Sequence, residues 1–179
     1  MLSDKLKYNA DQDRLPTDSL YNRQMFNESR FKPAAKSMAG ALGLTQITED
    51  TFDFLKSKGK VPEGKSFINL ATDTNLSQKL GKDYMEMLMN RSWNTDEKSG
   101  NLQIKRAKAL AAYNMGPTAL VRHLNKQKES GVDIKNSLDW IGSLNPETKN
   151  YVNNILLGGS ENYEEEYKRE YDKKGKEYR

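Results

Sequence analysis

NESRFKPAAKSMAGALGLTQIT, residues 27–48, holds one acid, Glu28, then a proline, a run of small residues and two glycines, and ends near Gln46. Upstream, Thr17 or Asp18 can cap a helix reaching about Ser29, with Leu20 and Met25 or Phe26 turned inward. Pro33 forces Lys32 out of helical geometry, so that helix ends just before it. Glu28 therefore lies at a helix C-terminus, where the negative end of the dipole disfavours an ionised carboxylate. With apolar neighbours, this position is expected to raise the carboxyl pKa, as a general acid requires. Gly40 and Gly43 permit positive φ or close backbone approach, as a wall around a ligand needs. A lone helix-end glutamate is more often a surface charge, so Glu28 needs further support from the rest of the chain.

Outward from this stretch the chain reads as mainly α, with few or no strands, because no long period-2 alternation occurs. Thr48 opens a helix, TEDTFDFLKSK, closed by Gly59, and GKVPEGKSFINL reads as a loop. Residues 73–91 form an amphipathic helix on which Leu76, Leu80, Tyr84, Met87 and Leu88 keep helical spacing. SWNTDEKSGN is a polar connection. Leu102–Asn114 is rich in alanine and reads as a central helix approached closely by its neighbours. Gly116-Pro117 ends it and starts the next, which turns Leu120, Val121 and Leu124 inward. SLDWIGSL is short and apolar. Asn145-Pro146 opens a helix bearing Tyr151, Val152, Ile155 and Leu156, ended by Gly158-Gly159. Residues 1–16 read as an N-terminal arm, 17–159 as the domain, and 160–179 as a charged helix or connector. On that last helix Tyr163, Tyr167 and Tyr171 recur every four residues, either docking on the domain or meeting a partner.

Composition excludes several chemistries. The 179 residues contain no cysteine and one histidine, His123. Disulfides, thiolate metal sites and a Ser-His-Asp triad are thereby ruled out or nearly so, and no cofactor or metal is expected. The net charge of +4 suits an anionic partner such as a wall polymer. No basic stretch carries interleaved aromatics, which argues against a nucleic-acid binder. No apolar run approaches the ~20 residues of a bilayer span. The first residues, MLSDKLKYNADQ, lack the apolar core of a signal peptide. Catalysis, if present, falls to carboxylates, and glycosidic bonds are the linkages that carboxylates alone commonly cleave.

The ordered motifs resemble those of the lytic transglycosylases of the soluble-transglycosylase, goose-lysozyme-like group. The opening signature falls on Glu28, Ser29, Phe31, Pro33, Ala35, Ser37, Gly40, Ala41, Gly43, Leu44 and Gln46. A second, Ala-Tyr-Asn followed by Gly-Pro, is Ala112, Tyr113, Asn114, Gly116 and Pro117; a third is Thr148, Tyr151 and Val152; a fainter one is Gly81 and Tyr84. Together they cover residues 20–157. Three positions depart from the pattern: Thr45 where methionine is usual, Glu49 where proline is usual, and Ser77 where asparagine is common.

The resemblance implies a lysozyme-like α+β fold, a single helical domain with a substrate cleft. It implies cleavage of the bond between N-acetylmuramic acid and N-acetylglucosamine in peptidoglycan glycan strands. Glu28 would be the one catalytic carboxyl. It would protonate the leaving oxygen and then take the proton of the C6 hydroxyl, closing a 1,6-anhydro ring without consuming water. Ser37 and Gln46 would hold the sugar, Tyr113 would orient Glu28, and Tyr151 would line the cleft or simply fill core. For Asn114, bracing of backbone competes with substrate binding. Ser29 reads either as part of the site or as a hydroxyl bonding a helix carbonyl, and Phe31 reads as core. A hydrolase on the same fold would recruit Asp50 or Asp53 to position water; an inactive wall-binding or virion structural domain is the remaining alternative. The flavour of ESRFKPAAKS resembles the internal virion transglycosylases of phages. It implies a particle-borne enzyme acting in the host periplasm or cell wall, with other virion proteins as partners of the C-terminal tail; a trimmed mature bacterial enzyme, or one domain of a larger chain, is the alternative.

Overall fold

A computed structural model describes residues 17–94, 102–156 and 159–174. The expected N-terminal arm, most of the polar connection after Asn94, and Gly158 lie outside these residues. Among these residues seven α helices follow in order: α1 Thr17–Ser29, α2 Glu49–Ser57, α3 Thr74–Met89, α4 Leu102–Met115, α5 Pro117–Glu129, α6 Pro146–Leu156 and α7 Glu161–Lys173. Three 3₁₀ turns, Phe67–Ala71, Ser92–Asn94 and Asp139–Ser143, join them. Among the described residues there is no strand, only isolated bridges from Leu42 to Lys36 and to Ile47. No helix among them is long and apolar enough to cross a membrane.

The chain forms two compact units. Among the described residues, one contains 17–84 and 161–174, the other 85–94, 102–156 and 159–160. In the first, the side chain of Thr48 accepts from the Thr51 amide at 3.3 Å and caps α2, whose Glu49 and Asp50 suit the positive end of the dipole. Phe52 and Leu55 are its buried face. The segment read as a loop after Gly59 contains a 3₁₀ turn instead. There the Ser66 amide donates to Asn69 Oδ1 at 2.9 Å, and Leu70 is buried. Five residues are too few to show a helical period, so local pairing rather than pattern makes this turn. The Leu76 amide donates to Asp73 Oδ1 at 3.0 Å, which is why α3 starts at Thr74. Lys65, 2.9 Å away, and the helix amides hold the Asp73 carboxyl below its usual range.

The second unit is centred on α4, whose Ala107, Ala109, Leu110, Ala111 and Ala112 are fully buried. Its small side chains let α5 and α6 lie against it. Gly116, at φ 91°, turns the chain from α4 into α5, and Pro117 occupies the first helical turn. Leu120 and Leu124 are buried as their spacing requires, whereas Val121 is only half-buried at the edge of that face. Trp140, in the 3₁₀ turn of SLDWIGSL, is fully buried.

Candidate active site

Glu28 occupies the last turn of α1 and is half-buried. The helix ends one residue later through two non-glycine residues in left-handed conformation, Arg30 at φ 54° and Phe31 at φ 59°. Each such residue costs about 1–2 kcal/mol, so the exit persists only because something offsets it. That something is the burial of Phe31, which is fully inaccessible, with its ring 5.6 Å from that of Phe26. Burying such a ring contributes roughly 1.5–3 kcal/mol. Phe31 is therefore core. Ser29 is buried, and its hydroxyl donates to the Met25 carbonyl at 3.0 Å, the helix-internal bond expected of a serine there.

Beyond Pro33 the loop folds on itself. The Ser37 hydroxyl accepts from the Ala41 amide at 3.0 Å, and the Gly40 amide donates to the Ser37 carbonyl at 3.0 Å. Ser37 is half-buried, and its hydroxyl proton has no acceptor among the described residues. Leu42 and Ile47 exchange both backbone hydrogen bonds, at 3.0 and 3.1 Å. Between them Gln46, at φ 49°, turns its amide nitrogen inward to donate to the carbonyls of Ala35 at 2.8 Å and Gly43 at 2.9 Å. Both amide hydrogens are thus spent on the loop, and only Oε1 remains to accept from a ligand. Gln46 is first a strut that fixes the shape of the wall.

Gly43 shows why this position takes no side chain. It lies at φ 83°, and an added Cβ would collide with the Leu70 carbonyl and stand 2.7 Å from Ser77 Oγ. Two of the three departures from the family pattern meet at this point. The Thr45 hydroxyl donates to the Ser77 carbonyl at 2.8 Å, and the Thr45 amide donates to Ser77 Oγ at 3.3 Å. Gly81, one turn further along α3, presses on Thr45, since an added Cβ would stand 2.7 Å from Thr45 Cβ. The threonine and serine are thus a matched pair that locks the loop to α3. Glu49, the third departure, is exposed in the first turn of α2. Asp50 and Asp53 are exposed on the same helix.

In the second unit, Asn114 is a brace. Its Oδ1 accepts from the Thr148 hydroxyl at 2.7 Å, while Thr148 also accepts from Asn145 Nδ2 at 3.0 Å. The Thr148 amide donates to Asn145 Oδ1 at 2.9 Å, closing the start of α6. Thr148, given no role in the sequence reading, turns out to be the bond between the second and third signatures; its place in the third signature was the available signal. Tyr113 is half-buried on α4, and Tyr151 is 3% exposed on α6. Glu28, Ser37 and Gln46 thus belong to one unit and Tyr113, Asn114 and Tyr151 to the other. Among the described residues, no group of three or more His, Asp or Glu side chains could hold a metal ion.

A carboxyl group at a left-handed helix exit, followed by a loop that its own glutamine ties, stands on a frame that is helical among the described residues. The model of the transglycosylase SLT domain matches residues 9–136, and the chain belongs to that family. Among solved structures it is similar to the 70 kDa soluble lytic transglycosylase from Escherichia coli, with a TM-score of 0.62 at 24% identity. The match covers 93% of this chain and 24% of that one, so this chain spans about a quarter of its length. The likeness is one of fold. A search of curated proteins gave no match.

Proposed function

We propose that this chain is a peptidoglycan lytic transglycosylase with Glu28 as its acid and base. Membership of the transglycosylase SLT domain family carries this reading. Glu28 is the one carboxyl group in the opening signature, and it sits at the exit of α1 beside the loop fixed by Gln46. In the reaction the Glu28 carboxyl donates its proton to the glycosidic oxygen, and the bond from that oxygen to C1 of N-acetylmuramic acid breaks. The sugar's own N-acetyl oxygen stabilises the cationic C1. The Glu28 carboxylate then takes the proton of the C6 hydroxyl, whose oxygen bonds C1 to give the 1,6-anhydro product. The electron count closes without water, and no second carboxylate is required, unlike the paired scheme of most glycosidases. On Ser37 and Gln46, the hydroxyl proton and Oε1 are the atoms left to meet the sugar.

Purified sacculi digested with wild type and with Glu28→Gln test this. The wild type should release products one water lighter than hydrolysis would give. The variant should be slower by roughly 100- to 10,000-fold or more, the span of general acid–base help, with an unchanged fold by circular dichroism. Hydrated products would make the enzyme a hydrolase, and wild-type rates in Glu28→Gln would remove Glu28 from the chemistry.

The resemblance of ESRFKPAAKS to phage virion transglycosylases supports a further proposal, that the enzyme travels in a particle and opens the host wall locally. The protein should then sediment with purified virions. Recovery only from the particle-free lysate would overturn this placement without touching the chemistry.

A further inference from the structure

Helix α7 begins at Glu161, beyond residue 136 where the family match ends, yet it is built into the same compact unit as α1. Arg23 holds Glu164 through its two terminal guanidinium nitrogens, and its guanidinium lies 4.7 Å from the centre of the Tyr167 ring. Phe26 meets Tyr163 and Tyr167 edge-on at 5.4 and 5.5 Å. Arg30 lies 4.3 Å over Phe26 and 3.6 Å from Glu166, and Phe31 lies 6.5 Å from Tyr167 and 6.4 Å from Tyr171. Arg23, Phe26 and Arg30, spaced three and four apart, form one stripe of α1. At 100° per residue Glu28 stands about 170° round the helix from that stripe. The same apolar cluster includes Leu44 of the loop that Gln46 ties.

We propose that α7 is a positioning element for the acid, clamping the last turn of α1 and its left-handed exit from behind through Glu164 and Tyr167. The proposal rests on Glu28 being the acid of the reaction above. The clamp touches α1 on the side away from Glu28, so it acts on aim and not on the sugar. The left-handed pair Arg30 and Phe31 leaves α1 directly after Glu28 and Ser29, and α7 is what covers Phe31. Leu44 in the same cluster extends the hold to the loop, so the acid and its wall share one support. A helix that merely completed the core would contribute to stability and leave turnover per folded molecule unchanged.

Steady-state kinetics on soluble glycan strands, run well below the melting temperature of every variant, separate the two. Tyr167→Ala should lower kcat by about tenfold or more with KM little changed, as a slightly misplaced catalytic group does. Tyr167→Phe, which keeps the ring, should restore kcat. Glu164→Gln removes the charge pair while keeping the side chain's size; it should lower kcat in the same direction and carries the test if Tyr167→Ala does not fold. Wild-type kcat in folded Tyr167→Ala, or in folded Glu164→Gln where Tyr167→Ala does not fold, overturns the clamp. Glu28→Gln run alongside keeps the two questions apart: an active Glu28→Gln sinks the assignment of the acid, whereas an inactive Glu28→Gln beside fully active α7 variants sinks only the clamp.

Discussion

Thr45 shows how one side chain can look like a lapse and be part of a fit. Read against the family motif it replaces a methionine, and nothing local explains the change. In the folded protein its hydroxyl and amide both bond to Ser77, itself a departure, and its methyl side abuts Gly81. Restoring the motif with Thr45→Met should therefore harm the protein. The longer side chain has Gly81 against it and removes the hydroxyl donor to the Ser77 carbonyl; overpacking and a lost buried bond together should cost about 1–3 kcal/mol in urea unfolding. Thr45→Ser, which keeps the hydroxyl, should cost clearly less. Gln46 carries a similar lesson. Its place in the opening signature singled it out, but the fold spends its amide nitrogen on Ala35 and Gly43. Only the geometry of the loop shows that Oε1 is the atom these two bonds leave over.

Helices were legible wherever a cap, a proline or apolar spacing over more than two turns marked them. α2, α3, α4, α5 and α6 begin within a residue or so of where caps, prolines and periodicity put them. The 3₁₀ turn at Phe67–Ala71 was not legible, because its support is a hydrogen bond from Ser66 to Asn69 and not a hydrophobic period. The bond that joins α4 to α6 was equally invisible: Asn114 and Thr148 are 34 residues apart. Thr148→Val keeps the shape but removes the donor to Asn114 and the acceptor for Asn145. It should lower stability by about 1–3 kcal/mol, and glycan-strand kinetics should show kcat retained in the folded fraction if Asn114 serves as a brace alone.

Across the molecule, the first compact unit is closed by two segments far apart in the chain, α1 and α7, whose Arg23 and Glu164 are separated by 141 residues. This closure has a pH signature. Burial raises the phenolic pKa of Tyr163 and of Tyr167 above the ordinary tyrosine value. A group whose pKa is raised in the folded state binds more protons there than in the unfolded chain. Its contribution is complete below the unfolded value of about 10 and is lost as pH climbs through the folded value. Stability measured by urea unfolding should be flat from pH 7 to about 9 and then fall, by up to about 1.4 kcal/mol per pH unit for each tyrosine. Tyr163→Phe should have a shallower alkaline limb than wild type; parallel limbs would show that Tyr163 does not contribute.

Order, period and residue type along the chain were enough to settle a helical frame, an acid at a helix end and a glycine-bearing loop behind it, because caps, dipoles and φ preferences act within a few residues. They also carried the family signatures. Three things were decided only in three dimensions: that Thr45 and Ser77 compensate one another, that Gln46 is a strut, and that α7 lies against the back of the helix bearing Glu28. Each depends on contacts between segments separated by many residues, whose partners are chosen by packing and by the need to satisfy buried polar groups, and no local pattern encodes that choice.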